Sequence, residues 1–523
     1  MKRYIFFLFL NLALVSLAMA QLQCERIFAV TDKECYLAGE RLLVRVDALM
    51  PDDSPAPSRV AYVEIADTRQ MYTQAMVALS HGQGWAEIPL PARMHSGSYQ
   101  LTVYTRAMRN FGPECFFHTL IGVINGEQLS RRDDVRFLPY QRYTPTDTPG
   151  LLSTNTYMAG TKVEVRLPET NAEGCAVSVD RAGVHAPLAQ GSLSVAGEKM
   201  TSKVFYNPEQ EGHILRADLG TDTAHIAISR LALVGQRASI YDGRKQDDGS
   251  YHYYVPGVYG DMPTLVTAYN EEGHAVPIHI VSPYAQHLPK SLPSLIVYSQ
   301  EPELLARATA ARRQNTASLW LGQDTLVHST GFLKSEPDYF YDLDEYTSMS
   351  TIREVLLEFV KGVRRSKYHG VNMLYTVEME TRRYSRWPAL VLLDGVPVYD
   401  VDEILNYDSH LVKYVQVYTD RFFFGNSCCQ GVISFITRHG RLSNYKLNAA
   451  QQLTSYSFPQ DHPVFVNQTA DCHGTVLWSP SVRSHHLTFD APTESGIYRV
   501  TVQGRDAQGQ PFRQSAQFVV PKM

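Results

Sequence analysis

The side chains of this 523-residue sequence with most scope for nucleophilic or metal chemistry are seven cysteines (Cys24, Cys35, Cys115, Cys175, Cys428, Cys429 and Cys472) and 18 histidines. Their spacing argues against both uses. No CxxC occurs, so neither thioredoxin chemistry nor a zinc ribbon is indicated. Cys428-Cys429 reads as two small residues in a loop, with a strained, redox-labile bridge between neighbours as the alternative. His485-His486 would point to opposite faces of a strand, which is poor geometry for chelation. The acidic stretch Glu336 to Tyr346 carries enough carboxylates for a calcium loop, but lacks EF-hand spacing and the required glycine. HExxH, GxSxG, P-loop and GxGxxG motifs are all absent. A dispersed triad is set by fold geometry and not by spacing, so it stays open. The expectation is a protein with no catalytic residues, no cofactor and no metal.

Residues suited to contact rather than catalysis fall between Trp387 and Gly440. Ala389 to Leu393 is an apolar run stopped by Asp394-Gly395, a dipeptide that tolerates positive φ and favours a tight hairpin into Val396-Pro397-Val398. Asp402 to Leu405 reads as a short helix and Val412 to Tyr418 as an alternating strand. Gly431 to Thr437, rich in β-branched residues, reads as a buried strand. Upstream, Thr351 and Glu354 fit a capping box at a helix start. Ile352, Val355, Leu356 and Phe359 share one face of that helix, and Gly362 stands at its C-terminal end. The candidate contact surfaces are the Asp394-Gly395 turn and the loop from Phe422 to Gly431. In that loop Phe422, Phe423 and Phe424 precede Gly425 and offer consecutive aromatics for an interface; three core phenylalanines are the competing reading.

The order helix, strand, hairpin, helix, strand, strand, with LLDGVPV (Leu392 to Val398), YVQVYTD and GVISFITRHG, resembles the plug domain of TonB-dependent outer-membrane receptors over residues 348–440. Receptors of that family follow the plug with a barrel of about 22 strands of about 9–11 residues each. Too few residues follow Gly440 to build one. The resemblance therefore implies a plug-like module without a pore, and as partners an outer-membrane receptor barrel or a TonB-type energy-coupling protein.

At the start, Met1-Lys2-Arg3, the apolar Ile5 to Leu17 and the small-x-small site Ala18-Met19-Ala20 have the form of a secretory signal peptide, 1–20. No later segment has 18 uninterrupted apolar residues, so no transmembrane segment is expected after cleavage. A net charge of −5 gives no electrostatic case for nucleic acid or for an anionic membrane. With 31 Tyr and 28 Pro among many short alternating runs, the composition favours β-sandwiches, and the length suggests about three to five domains.

Strands are expected at Arg26 to Val30, Arg41 to Leu49, Ala61 to Asp67, Gly84 to Pro89, Gly97 to Thr105 and Phe116 to Ile124. Thr31 to Leu49, with its Tyr36-x-x-Gly39-Glu40 turn, resembles the opening of an alpha-2-macroglobulin-type sandwich, as do Gly84 to Pro91 and Ser96 to Gly112. That family's reactive Cys-Gly-Glu-Gln is absent, so covalent trapping is not implied. Tyr157-Met158-Ala159-Gly160 echoes Tyr36-Leu37-Ala38-Gly39 and hints at a repeated domain.

The expected organisation is a mainly β chain of tandem antiparallel β-sandwich domains plus one small α/β plug-like domain. A sandwich at 21–127 is followed by a linker at 128–149, a second β-sandwich region at 150–298 and a helix and connector at 299–347. The plug-like domain at 348–440 precedes a C-terminal β region at 441–523, whose strands are too few for a core of their own and are expected to complete the second sandwich. The functional expectation is a non-enzymatic exported envelope protein, periplasmic or associated with the outer membrane, that binds or scaffolds. A structural spacer and a small-ligand binder stand beside it.

Overall fold

The computed structural model describes residues 23–126, 134–138, 147–170, 174–181, 188–191, 193–195, 197, 199–202, 204–219, 225–234, 239–271, 275–298, 336–368, 371–424, 427–440, 442–447, 452–463 and 474–522. The signal peptide, most of the expected helix and connector (299–335) and Cys472 lie outside these residues. No described helix is long and apolar enough to cross a membrane. The chain is mainly β, and its described residues divide into two compact units, one from 23–211, 284–298 and 459–522, the other from 212–283 and 336–458.

In the first unit, Arg26–Thr31, Arg41–Leu49 and Gln83–Pro89 form one antiparallel sheet. Cys35–Leu37, Phe117–Ile124, Gly97–Thr105, Val60–Ala66 and Met71–Ala78 form the other, in that order. All six strands expected from alternation are present. Met71–Ala78, an edge strand whose centre is polar, escapes the pattern, and so does the three-residue Cys35–Leu37, which pairs parallel to Phe117–Ile124.

The Tyr36-x-x-Gly39-Glu40 turn is built around buried polar groups that must all find partners. The Tyr36 hydroxyl donates to Asp32 Oδ1 at 2.7 Å, and that oxygen also accepts from the Leu43 N–H at 3.0 Å. Asp32 Oδ2 accepts from the Thr475 hydroxyl. Gly39 takes φ +90°, open to glycine at little cost. That turn lets the Glu40 carboxylate fold back onto the Leu37 N–H (2.6 Å) and the buried Lys33 ammonium (2.9 Å). Removing one partner of so buried a pair would strand the other charge.

The second sandwich is assembled from two distant stretches of sequence. Cys175–Arg181 lies between Thr475–Val482 and Gly496–Arg505, with Pro511–Val520 beyond, and Lys162–Arg166 pairs with His486–Asp490. In its core Tyr498 stacks on Phe518 and Tyr157 meets Phe518 edge-on, beside Val163, Val177 and Val500. Gly160, like Gly39, has positive φ just before a strand, so the sequence echo marks the same kind of turn.

Residues 150–298 therefore do not form one sandwich. His213–Asp218, Arg244–Lys245, Tyr251–Val255 and His279–Val281 make one sheet of the second unit, and Ile226–Leu233, Ser239–Asp242, Asp261–Asn270 and Ala275–Val276 another. Gln452–Ser457 adds to the second sheet on Asp261–Asn270. Ser229 Oγ and Tyr253 Oη, 2.5 Å apart, join the two sheets. The region was legible as β-rich, but each strand's partner is chosen by side-chain packing across the sheet and not by nearness in sequence. Along the chain the result is nested: 213–281 with 452–457 lies within the second sandwich's sequence, and the α/β module lies within that.

The module's mixed sheet runs Tyr339–Asp342, Val412–Phe424, Ser427–Thr437, Leu390–Leu393, Val396–Pro397, with Leu390–Leu393 parallel to Ser427–Thr437. The helices Ile352–Glu358 and Val401–Leu405 pack on it. Thr351 and Glu354 form the expected capping box, a device worth about 0.5–2 kcal/mol. The helix ends at Glu358 and the chain turns at Gly362, φ +78°, where a Cβ would stand 2.6 Å from the Tyr339 ring. Residues 336–347 are not a connector. Tyr339–Asp342 is the sheet's edge strand, its carboxylates already engaged: Asp342 and Asp344 with Lys413, Asp344 with Arg438, and Asp338 with the Thr419 N–H and hydroxyl. No group of His, Cys, Asp and Glu among the described residues is arranged to hold a metal ion.

Candidate binding surface

Asp394 and Gly395 form the expected tight turn, with φ +48° and +84° between Leu390–Leu393 and Val396–Pro397. The Asp394 carboxylate does not face solvent. It is buried and accepts from the Thr437 N–H at 2.7 Å, the Thr437 hydroxyl at 2.7 Å and the Leu442 N–H at 2.8 Å. An ionised carboxylate taking three donors is a strong local tie. It binds the hairpin to the end of Ser427–Thr437 and to the chain beyond it.

Phe422 to Gly431 is not a loop. The ladder continues past Tyr418, pairing Phe422 with Cys429, Phe423 with Cys428 and Phe424 with Ser427. Gly425 lies outside the described residues. The extension passes through a bulge, where the register shifts between Tyr418 and Arg421 opposite Gly431. Gly431 has φ +88°, and a Cβ there would stand 2.0 Å from Thr376 Oγ1, so glycine is required both by backbone shape and by the close approach of the strand Val371–Glu378.

Strand alternation separates Phe422 from Phe423. Phe422 packs edge-on against Tyr418, ring centres 5.7 Å apart, while Phe423 is 73% exposed. The same alternation separates Cys428, exposed, from Cys429, half-buried, and both are free thiols. Neighbouring strand residues point to opposite faces, so the bridge between them does not form.

Of the sequence-predicted contact residues, then, Phe423 presents a large apolar side chain to solvent, whereas Asp394 and Gly431 hold the module together. Sequence reading missed a neighbouring exposed element, the antiparallel ribbon Val363–Tyr368, Val371–Glu378 and Arg383–Tyr384. Its signal was present in Arg364-Arg365-Ser366-Lys367 and Arg382-Arg383-Tyr384-Ser385-Arg386-Trp387, runs of cations with aromatics in a chain that is acidic overall.

No family model matches the sequence, and no curated protein matches it. Among solved structures, native Escherichia coli alpha-2-macroglobulin aligns with 95% of this chain and 22% of its own, at 9% identity and a TM-score of 0.17. Salmonella alpha-2-macroglobulin reacted with methylamine aligns with 95% and 23%, also at 9% identity and 0.17. The Yersinia pseudotuberculosis adhesin InvE aligns with 49% and 58%, at 14% identity and 0.15. The chain spans about a fifth of the length of these macroglobulins. Superpositions this loose carry no argument, and the mainly β architecture rests on the strand pairing itself.

Proposed function

We propose that this chain is a non-enzymatic exported envelope protein in which macroglobulin-like β-sandwiches act as a scaffold for a plug-like binding module. Its partner is an outer-membrane receptor barrel or a TonB-type energy-coupling protein. The observation that carries this reading is Phe423, an exposed aromatic on a paired strand whose neighbour Phe422 is anchored on Tyr418. A rigidly presented aromatic is the usual centre of a binding hot spot. The plug resemblance of residues 348–440 supplies the class of partner.

Deleting the module would not test this cleanly, because Ile352, Val391 and Phe435 share a core with Ala232 and Leu265. The experiment is affinity capture from envelope extract with the full chain and with Phe423→Ser. Capture of a receptor barrel or coupling subunit by the wild type, lost in the variant, supports the proposal. Identical capture by both, or none, transfers support to the spacer reading.

A further inference from the structure

The ribbon Val363–Tyr368, Val371–Glu378, Arg383–Tyr384 gathers Arg364, Arg365, Lys367, Arg382, Arg383 and Arg386, all exposed, against Glu378 and Glu380, within a chain of net charge −5. None of these six cations forms a salt bridge with a described residue. Like charges crowded on a ribbon destabilise it, so such a cluster needs an anionic counterpart to offset the repulsion.

The cations are set among exposed apolar and aromatic groups. Arg364 lies over the Tyr384 ring at 4.5 Å and 5.8 Å from the Tyr375 ring centre, which fixes its guanidinium in place. Val371, Met379 and Tyr384 are exposed, and Trp387 is 66% exposed. The backbone leading to Trp387 is held: Ser385 N–H donates to the Thr376 carbonyl at 2.8 Å, and Ser385 Oγ to the Trp387 carbonyl at 2.8 Å.

We infer that the face of this ribbon carrying Arg364 and Tyr384 docks on an anionic phospholipid surface, Arg364 at the headgroup phosphates and Tyr384 and the adjoining Trp387 at the interface. Arg365, Lys367 and Arg383, in register with Leu374, Asn372 and Glu378, lie on the other face. A soluble acidic polypeptide would satisfy the charges but leave the apolar groups in water. A bilayer surface takes both, because amphipathic aromatic rings partition to the headgroup level and each nearby Lys or Arg adds about 1 kcal/mol of attraction to anionic lipid, close to a fivefold change in affinity. Phe423 lies on the strand Val412–Phe424, outside the ribbon, so its substitution tests partner binding and the ribbon substitutions test lipid binding.

The experiment is co-sedimentation of the full chain with vesicles of phosphatidylcholine, with and without phosphatidylglycerol, and with the emission of Trp387 as a second readout. Binding is expected only with phosphatidylglycerol, weakening as salt shortens the Debye length. Arg364→Gln should weaken it about fivefold, Arg383→Gln on the opposite face should weaken it less, and Trp387→Phe should remove the blue shift while circular dichroism stays unchanged. Phe423→Ser should bind vesicles as the wild type does. Equal association with both vesicle types, no association, or tighter binding to soluble polyglutamate than to phosphatidylglycerol vesicles would overturn the inference.

Discussion

The Asp394 carboxylate grips Thr437 twice, taking its backbone N–H and its hydroxyl, each at 2.7 Å. A residue that opens a hairpin thereby also fastens the end of a strand more than forty positions later. Asp394→Ala would leave the buried Thr437 and Leu442 N–H groups without an acceptor and put alanine at φ +48°. The expected loss is about 2–4 kcal/mol, read from the urea midpoint of the second unit. An unchanged midpoint would contradict the role assigned to the carboxylate.

Gly431→Ala meets both a positive φ and Thr376 Oγ1 at 2.0 Å from the new Cβ. A loss of about 3 kcal/mol or more is expected. Adding Thr376→Gly removes the obstructing side chain but not the backbone strain. The double-mutant cycle should show a favourable coupling of about 1 kcal/mol or more, and simple additivity would refute the steric account.

Phe422 and Phe423 should behave oppositely if they are strand neighbours. Phe423→Ser should change stability by no more than about 0.5 kcal/mol, whereas Phe422→Ser, losing its contact with Tyr418, should cost about 1–3 kcal/mol. Equal effects would restore the loop reading of this stretch.

Asp32 makes stability depend on pH. Burial, the largest influence on it, pushes its carboxyl up to about 6 despite Lys33, Thr475 and Tyr36 pulling the other way. A raised carboxyl favours the protonated form in the folded chain. Its contribution is therefore complete below the ordinary carboxylate value and lost as pH rises towards about 6, a change of roughly 2–3 kcal/mol. Asp32→Asn, which preserves the shape, should flatten that slope between about pH 4 and 6 in denaturation curves.

Thiol reactivity should follow burial. Desolvation pushes Cys24 and Cys35 up to about 12 and Cys175 up to about 11, while Cys428 is exposed. Alkylation near pH 8, mapped by mass spectrometry, should mark Cys428 first and reach Cys24, Cys35 and Cys175 only after denaturation. Early labelling of Cys24 would mean that its surroundings open readily.

The sequence by itself determined the local devices: the Asp394-Gly395 turn, the Thr351 and Glu354 capping box, the six alternating strands of the first sandwich and the Tyr-x-Ala-Gly turns at Gly39 and Gly160. Each is written in residues a few positions apart, whose φ preferences, capping groups and alternation act without the rest of the chain. The tertiary structure decided partnership. The C-terminal strands were expected to join the 150–298 region, but only the structure chose Cys175–Arg181 as the strand between two of them, carried the Val412–Phe424 ladder past the Gly431 bulge and turned Asp394 inward. It also left the arginines of the 363–387 ribbon without a carboxylate partner among the described residues. Such outcomes depend on which side chains pack together across hundreds of residues, where the energy of burial outweighs any local preference and no short window of sequence contains both halves of the contact.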